Sequence, residues 1–459
     1  MEHFASHSSF LVPLRNSSRS SATPRQSSLH RKDGLLRKNH ILTSRRSCWY
    51  DTFTMTSDAR VYLDYAAGTP LDPSVRDAMR AYEDTHFANA FSVHNAGREA
   101  KRMLEDARFG LAAHLGARSS ECHFASGATD AMTKILYSVV NGLLEKGVTY
   151  AEMHIVMSVI EHSTVRACIE GFARRGVRIT NVGVTPDGRI DMAQMEAAIH
   201  EDTILVVCML VNNEIGTIQP IRDIGRMLEA RFAETKHRFV HHHIEKPLLV
   251  SDASQAPLFM SLTPSDLGVD FMVIDAAKIY GPRKMALLYV KTGTYFQSLC
   301  GMHGKVPSEG TPDVSSAIGL RRAYDILEER READVASWND IKSYFIQRLT
   351  ERFPTMRING DPAVSVPGIL NVSFPGVEGE FLATQLDSHG IAVSAKSACL
   401  SGGGEGSYVV RALDPATASG GAPQNAVDRA NGALRFSFGR TTTQEDIDYV
   451  VSALADIVK

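Results

Sequence analysis

The chain has 459 residues, 44% hydrophobic and 22% charged, with a formal net charge of -3. That length suits two or three folded units, and the near-neutral balance gives no whole-chain reason to expect a nucleic-acid or acidic-membrane partner. No uninterrupted apolar run approaches the roughly 20 residues a bilayer-spanning helix needs.

The first 54 residues differ from the rest. From Arg15 to Arg46 the chain is rich in Ser, Arg and Lys, with Asp33 its only acid, and it is expected to be disordered. Two origins stay open: an organelle transit peptide, or an extension upstream of a protein that starts at Met55. The expected location is accordingly the cytoplasm, or a mitochondrial or other organellar matrix. None of the six cysteines, Cys48, Cys122, Cys168, Cys208, Cys300 and Cys399, sits in a CxxC pair or a zinc-ligand spacing. Neither a disulfide framework nor a structural metal is expected, which fits a reducing compartment.

From Val61 onward the pattern is regular. Helical periodicity covers 73–85 and 97–115. Apolar runs then predict strands at 154–159, 177–184, 203–211, 247–253, 271–275 and 286–291. Helical stretches fall between them at 128–145, 163–175, 192–200 and 219–232. The runs are short and apolar on both faces, as in a helix-covered, mostly parallel α/β sheet. Ligands in such sheets sit beyond the carboxyl ends of the strands. After about residue 320 a long charged helix, 315–352, leads into mixed α+β segments, the strand-like LRFSFGR at 434–440 and a final helix at 443–458. The insertion KHRFVHHHIEK (236–246) is read as an exposed loop, because three consecutive histidines on a regular element cannot all face one metal. Residues 414–424 form a second oddity, rich in Gly, Ala and Pro.

Three strand ends carry chemistry. Asp252 follows a buried run, where a carboxylate is costly without a donor or cation. It could hold a protonated pyridinium nitrogen, or simply cap the following turn. Lys278 follows the next strand, before a Gly-Pro turn. Apolar surroundings disfavour its ammonium form, which suits an amine that must attack a carbonyl; a lysine that snorkels to solvent is the alternative. In FASGATDAM (124–132), Gly127 allows a turn into a helix whose free N–H groups, with Ala128 and the Thr129 hydroxyl, favour an anion. The same letters also read as ordinary strand–turn–helix punctuation.

Taken in order, LDYAAGTP (63–70), FANAFSVHNAGRE (87–99), SGATDA (126–131), IEHSTV (160–165), VNNEIGTIQP (211–220), SDASQ (251–255), KIYGP (278–282), SACLSGG (397–403) and LRFSFGRTTT (434–443) resemble the cysteine desulfurases. These belong to the class V aminotransferase group of fold-type I pyridoxal-phosphate enzymes. The resemblance runs from about Tyr62 to the C-terminus. It implies a large α/β domain at 70–315 with a mostly parallel seven-stranded sheet. A smaller domain would combine 55–69 with 316–459 and carry the Cys399 loop.

It also implies roles, residue by residue. Lys278 would hold pyridoxal 5'-phosphate and move the Cα proton, Asp252 would pair with the ring nitrogen, and Gln255 would bond the ring's phenolic oxygen. His162 would stack on the ring and assist proton transfers, with Asn213 near the same oxygen and the substrate. Ala128 and Thr129 would take the phosphate, joined by Thr311 from a neighbouring subunit. Arg435 would clamp the carboxylate of L-cysteine, with Asn89 on the same side. Cys399, followed by the glycine-rich LSGGGEG, would take the sulfur as a persulfide and deliver it to an acceptor or scaffold protein for iron–sulfur or other thio-cofactor synthesis. The enzyme would be a homodimer.

One segment departs from the family pattern. Where a Ser-Gly-His-like triplet usually precedes the lysine and helps bind the phosphate, this chain has Asp275, Ala276 and Ala277. Alanine offers no side-chain donor, and a carboxylate repels a phosphate dianion. The stretch 303–313 before Thr311 is also shortened. Weaker cofactor retention is therefore expected. Alternatives are a selenocysteine lyase, an aminotransferase or epimerase that would need no cysteine loop, and a catalytically degenerate sulfur-transfer scaffold.

Overall fold

Runs that are apolar at every position become strands buried on both faces, and a computed structural model of the chain shows the result. It describes residues 61–234, 237–296, 310–395, 406–419 and 423–458. The extension 1–54, Met55, Cys48, Cys300 and Cys399 with its glycines lie outside the described residues.

The described strands, in chain order, begin with β1 (Val61–Tyr62), β2 (Cys122–Ala125), β3 (His154–Ser158), β4 (Arg178–Val182), β5 (Thr203–Val207) and β6 (Leu248–Asp252). They continue with β7 (Phe271–Asp275), β8 (Ala286–Val290), β9 (Arg357–Ile358), β10 (Ile369–Ser373), β11 (Ile391–Ala392) and β12 (Ala433–Ser437). The helices begin with α1 (Pro73–Glu83), α2 (Asn95–His114), α3 (Ala128–Glu145), α4 (Ser163–Ala173), α5 (Met192–Ala198) and α6 (Ile221–Phe232). They end with α7 (Pro264–Leu267), α8 (Val314–Arg352), α9 (Gly379–Ser388), α10 (Tyr408–Ala412), α11 (Gln424–Asn431) and α12 (Gln444–Ile457).

Strands β2 to β8 form the expected seven-stranded α/β sheet in the order β2-β8-β7-β6-β5-β3-β4. Strand β8 pairs antiparallel with both its neighbours, and the other pairings are parallel. Burial of both faces explains the continuous apolar runs. Along β7, Phe271 and Val273 pack on one side with Val250 and Leu288, while Met272 and Ile274 pack on the other with Leu249 and Leu287. A second sheet, β12-β10-β9, is antiparallel, and β1 pairs parallel with β11.

Helix α8 is 39 residues long and lies against α1, α2 and α12. Asp313 caps it by accepting from the Ser316 amide. Its apolar stripe runs through Leu320, Tyr324 and Leu327 to Trp338, Phe345 and Leu349. No described helix is long and apolar enough to cross a membrane. The histidine-rich insertion departs from a plain exposed loop. His241 and His243 are exposed, but His237 is buried, with Nε2 2.7 Å from the Thr203 carbonyl oxygen and Nδ1 3.0 Å from that of Ile244.

Candidate active site

The carboxyl ends of β2, β3, β5, β6 and β7 open on one edge of the sheet. There a cavity of about 240 Å³ is walled by Ala128, Thr129, His162, Asn213, Asp252, Gln255, Asp275, Lys278 and Arg435 among others. These side chains come from segments up to 307 positions apart (435 − 128), so the fold gathers the residues that the sequence singled out.

Lys278 ends a short helical turn, Ala276–Lys278, capped by the Asp275 carboxylate, which accepts from the Ala277 amide at 3.0 Å. The lysine is half-buried in the cavity wall rather than extended along the protein surface. Its Nζ donates to the carbonyl oxygens of Ala66 at 3.0 Å and Ala67 at 2.6 Å. Burial lowers its pKa first of all; Asp275 opposes that, and Arg435 adds to it. Two residues on, Tyr280 adopts φ +61°, a left-handed conformation that bulky residues rarely occupy. Thr69 holds this bend, with its hydroxyl donating to the Ala277 carbonyl at 3.0 Å and accepting from the Tyr280 amide at 2.7 Å. Arg440 braces it by lying 4.1 Å over the Tyr280 ring. Segment 63–70 thus both clamps the turn and supplies the carbonyls that hold the amine.

Asp252 caps the following turn and also faces the cavity. One oxygen accepts from the Ser254 amide at 2.9 Å, a local turn bond, and the side chain also lines the cavity. Gln255 donates through Nε2 to the Ala66 carbonyl at 2.8 Å. His162 caps α4, with Nδ1 accepting from the Thr164 amide at 3.3 Å. Burial pushes its pKa down, against Asp252, which pulls it up, so the ring is held toward its neutral form. The N-terminus of the 18-residue helix α3 follows Gly127, whose φ of +107° needs the absence of a Cβ.

Arg435, only 2% exposed, donates through Nη2 to Asp64 at 2.6 Å and through Nη1 to the Asn213 carbonyl at 2.9 Å. The salt bridge and the cavity wall are therefore two features of one side chain. Cavity-wall residues Asn213, Ser254 and Arg435 also carry buried polar atoms without a protein partner, namely Oδ1, Oγ and Nε. Buried polar groups are ordinarily satisfied, so these three suit a polar, ring-sized ligand. A pyridoxal ring fits this end, between a carboxylate, an amide, an imidazole and an amine whose pKa burial lowers. At the anion end, the α3 terminus and Thr129 fit a phosphate, but Asp275 does not fit a dianion.

Two expected residues lie elsewhere. Asn89 is exposed, its Oδ1 accepting from the Phe91 amide at 2.9 Å, and Thr311 is exposed just ahead of α8. Neither lines the cavity. The sequence reading missed Ala66, Ala67, Ser254 and Met209 as wall residues. The first three lie within motifs already quoted, and Met209 lies inside an apolar run where nothing marks it.

The aminotransferase class-V family profile matches residues 61–450. "Cysteine desulfurase IscS" of Dictyoglomus turgidum is 32% identical over 401 residues, 87% of this chain and 94% of that protein. "Cysteine desulfurase" of Homo sapiens is 34% identical over 409 residues, 87% of this chain and 82% of that protein. Among solved structures, a "NIFS-LIKE PROTEIN" superposes with a TM-score of 0.74 at 27% identity, covering 87% of this chain and 99% of that one. The fold, the gathered strand-end residues and these relatives agree: the chain belongs to the class-V aminotransferase family, among its cysteine desulfurases.

Proposed function

We propose that this chain is a pyridoxal-phosphate-dependent cysteine desulfurase that converts L-cysteine to L-alanine and passes the sulfur to Cys399. The observation that carries this is the buried amine of Lys278, held beside Asp252, Gln255 and His162 at one sheet edge. The cofactor, when bound, supplies an electron sink for the bond at the substrate Cα. Lys278 would hold it covalently and then carry the Cα proton, which a lysine with a lowered pKa can do near neutral pH. Asp252 would keep the ring nitrogen protonated, and neutral His162 would face the ring. In balance, the Cys399 thiolate would attack the substrate sulfur and form the S–S bond, the Cβ–S bond would break with its electron pair left on Cβ, and Cβ would take up one proton, equal to the one lost by the Cys399 thiol, to become the methyl of alanine.

We assign 70–315 to the cofactor-holding part and 55–69 with 316–459 to the smaller part. Ala66, Ala67 and Arg435 of the second part meet the other wall residues of the first across the cavity, which supports that division. A homodimer is supported by Phe87, Phe91 and Val93, which are 97%, 65% and 86% exposed. Side chains that apolar, clustered on one loop, mark an association surface. Thr311, away from the cavity, would then serve the partner's phosphate. The sulfur acceptor would be a separate protein.

The deciding experiment assays purified protein with cysteine and selenocysteine side by side, alanine being the common product. Alanine from cysteine together with the visible absorbance of lysine-bound cofactor is expected. Absence of both sinks the reading, and a strong preference for selenocysteine transfers it to the lyase. Arg435 offers a finer check. A substrate carboxylate would compete with Asp64 for its planar fork, a geometry that lysine cannot reproduce. Arg435→Lys should raise KM for cysteine roughly 10- to 100-fold, with a smaller change in kcat. An unchanged KM would place the carboxylate elsewhere.

A further inference from the structure

The cavity holds one group that the proposed chemistry does not use, and it stands opposite the anion site. Strand register fixes its place: Ala125 at the end of β2 pairs with Ala286, and Ala286 pairs with Asp275 at the end of β7. Neighbouring strands are about 4.8 Å apart. Asp275 therefore lies two strands across from the point where the chain turns into α3, on the same row, and its side chain lines the same cavity as Ala128 and Thr129. Its Oδ1 already occupies the Ala277 amide at 3.0 Å, so that N–H is engaged by a carboxylate. Ala276 and Ala277 add no side-chain donor.

Resting on the reading above, we infer that Asp275 couples binding of the phosphorylated cofactor to uptake of a proton: the phosphate is seated only with one proton shared between it and the Asp275 carboxyl. The charged groups facing Asp275 are Lys278 on its own turn, Asp252 at the end of β6 and His162 at the start of α4. Burial raises the Asp275 pKa above the ordinary carboxylate range, and Asp252 acts in the same direction. The Ala277 amide, Lys278 and His162 pull it down without cancelling the rise. A seated phosphate adds a further like charge and pushes Asp275 up again.

The sign follows from linkage. A free phosphate monoester loses its second proton near pH 6, to within about a unit. At a pH above both that value and the pKa of Asp275 in the empty pocket, the separated partners hold no proton at these two groups, while the complex holds one. The dissociation constant must then rise with pH, by up to about tenfold per unit, until the shared proton is lost from the complex as well. The weak cofactor retention expected from the sequence would then arise at the phosphate end of the pocket and grow with pH.

The test is equilibrium dialysis of the full-length chain, freed of bound cofactor, against pyridoxal phosphate and against pyridoxal between pH 6 and pH 8. Pyridoxal reports the ionisations of Lys278 and the ring, so the difference between the two slopes isolates the phosphate. For the native chain, the phosphate-specific slope should approach one decade per pH unit. Asp275→Asn, which keeps an acceptor for the Ala277 amide, should lose that slope and bind pyridoxal phosphate roughly 10- to 100-fold tighter at pH 8 relative to pyridoxal, whose own change carries the effect of Asp275 on Lys278. Asp275→Ser removes the same charge and should behave likewise. A native slope equal for both ligands, or charge-removing variants that bind the phosphorylated cofactor no tighter, overturns the inference alone. Failure of every protein to bind either aldehyde overturns the proposed function and this inference with it.

Discussion

Lys278→Ala is expected to abolish the visible absorbance of bound cofactor and to lower alanine production at least about 1000-fold. The size follows from two duties carried by one atom. Nζ is the group that would join the cofactor, and after substrate displaces it, it is also the nearest base. In the structure the amine donates to the Ala66 and Ala67 carbonyls, and burial lowers its pKa although Asp275, Asp252 and Asp64 act against it. Folding should survive the change. The Ala66 carbonyl keeps its bond from Gln255, and only the Ala67 carbonyl loses a partner, a cost of about 1–3 kcal/mol that removal of a buried amine partly offsets. Urea unfolding of the variant should therefore stay cooperative. Lys278→Arg, which keeps a cation but offers no amine, should be as inactive as the alanine variant. Retention of the absorbance in either variant would assign the covalent bond to another residue.

The fold was legible where burial was uniform. Strands β3, β5, β6, β7 and β8 lie between two layers of side chains, so each carries a run of at least three apolar residues that announces itself. Short edge pairings such as β1 with β11 left no such trace, because two residues carry no periodicity. The site was legible at strand ends, where Asp252 and Lys278 interrupt apolar runs abruptly. The partners of those residues were not. Nothing in the sequence shows that the Ala66 and Ala67 carbonyls receive Lys278 and Gln255, since a backbone acceptor is the same at every residue. Asp64 pairs with Arg435 across 371 positions, a distance at which spacing carries no information. Asn89 sat in a motif beside the family's site residues, yet its side chain turns to its own loop.

Replacing Cys399 by Ser should stop sulfur transfer while leaving the cofactor absorbance intact. The thiols among the described residues cannot take over. Burial pushes Cys122 up to about 12, Cys168 up to about 11 and Cys208 well above its ordinary value. At neutral pH all three stay protonated, and the thiol is a poor nucleophile beside the thiolate. The described residues that flank the Cys399 segment, by contrast, are tied to strands and turns that border the cavity. On one side Ser394 exchanges backbone hydrogen bonds with Arg435, at 2.6 and 3.3 Å. Cys399 is five positions beyond Ser394 in the sequence, a chain reach of at most about 17 Å. On the other side, Ser407 donates to Glu214 and Tyr408 to the Glu161 carbonyl, both at 2.6 Å. Those two partners adjoin Asn213 and His162 on the cavity wall. Serine cannot form the S–S bond that takes sulfur from the substrate, so sulfide and alanine production should both fall by about three orders of magnitude or more. The absorbance, which depends on Lys278 and Asp252, should not change. Sulfide release within about tenfold of the native rate would mean that sulfur leaves without Cys399, and also without the three described thiols, which are held in their unreactive form.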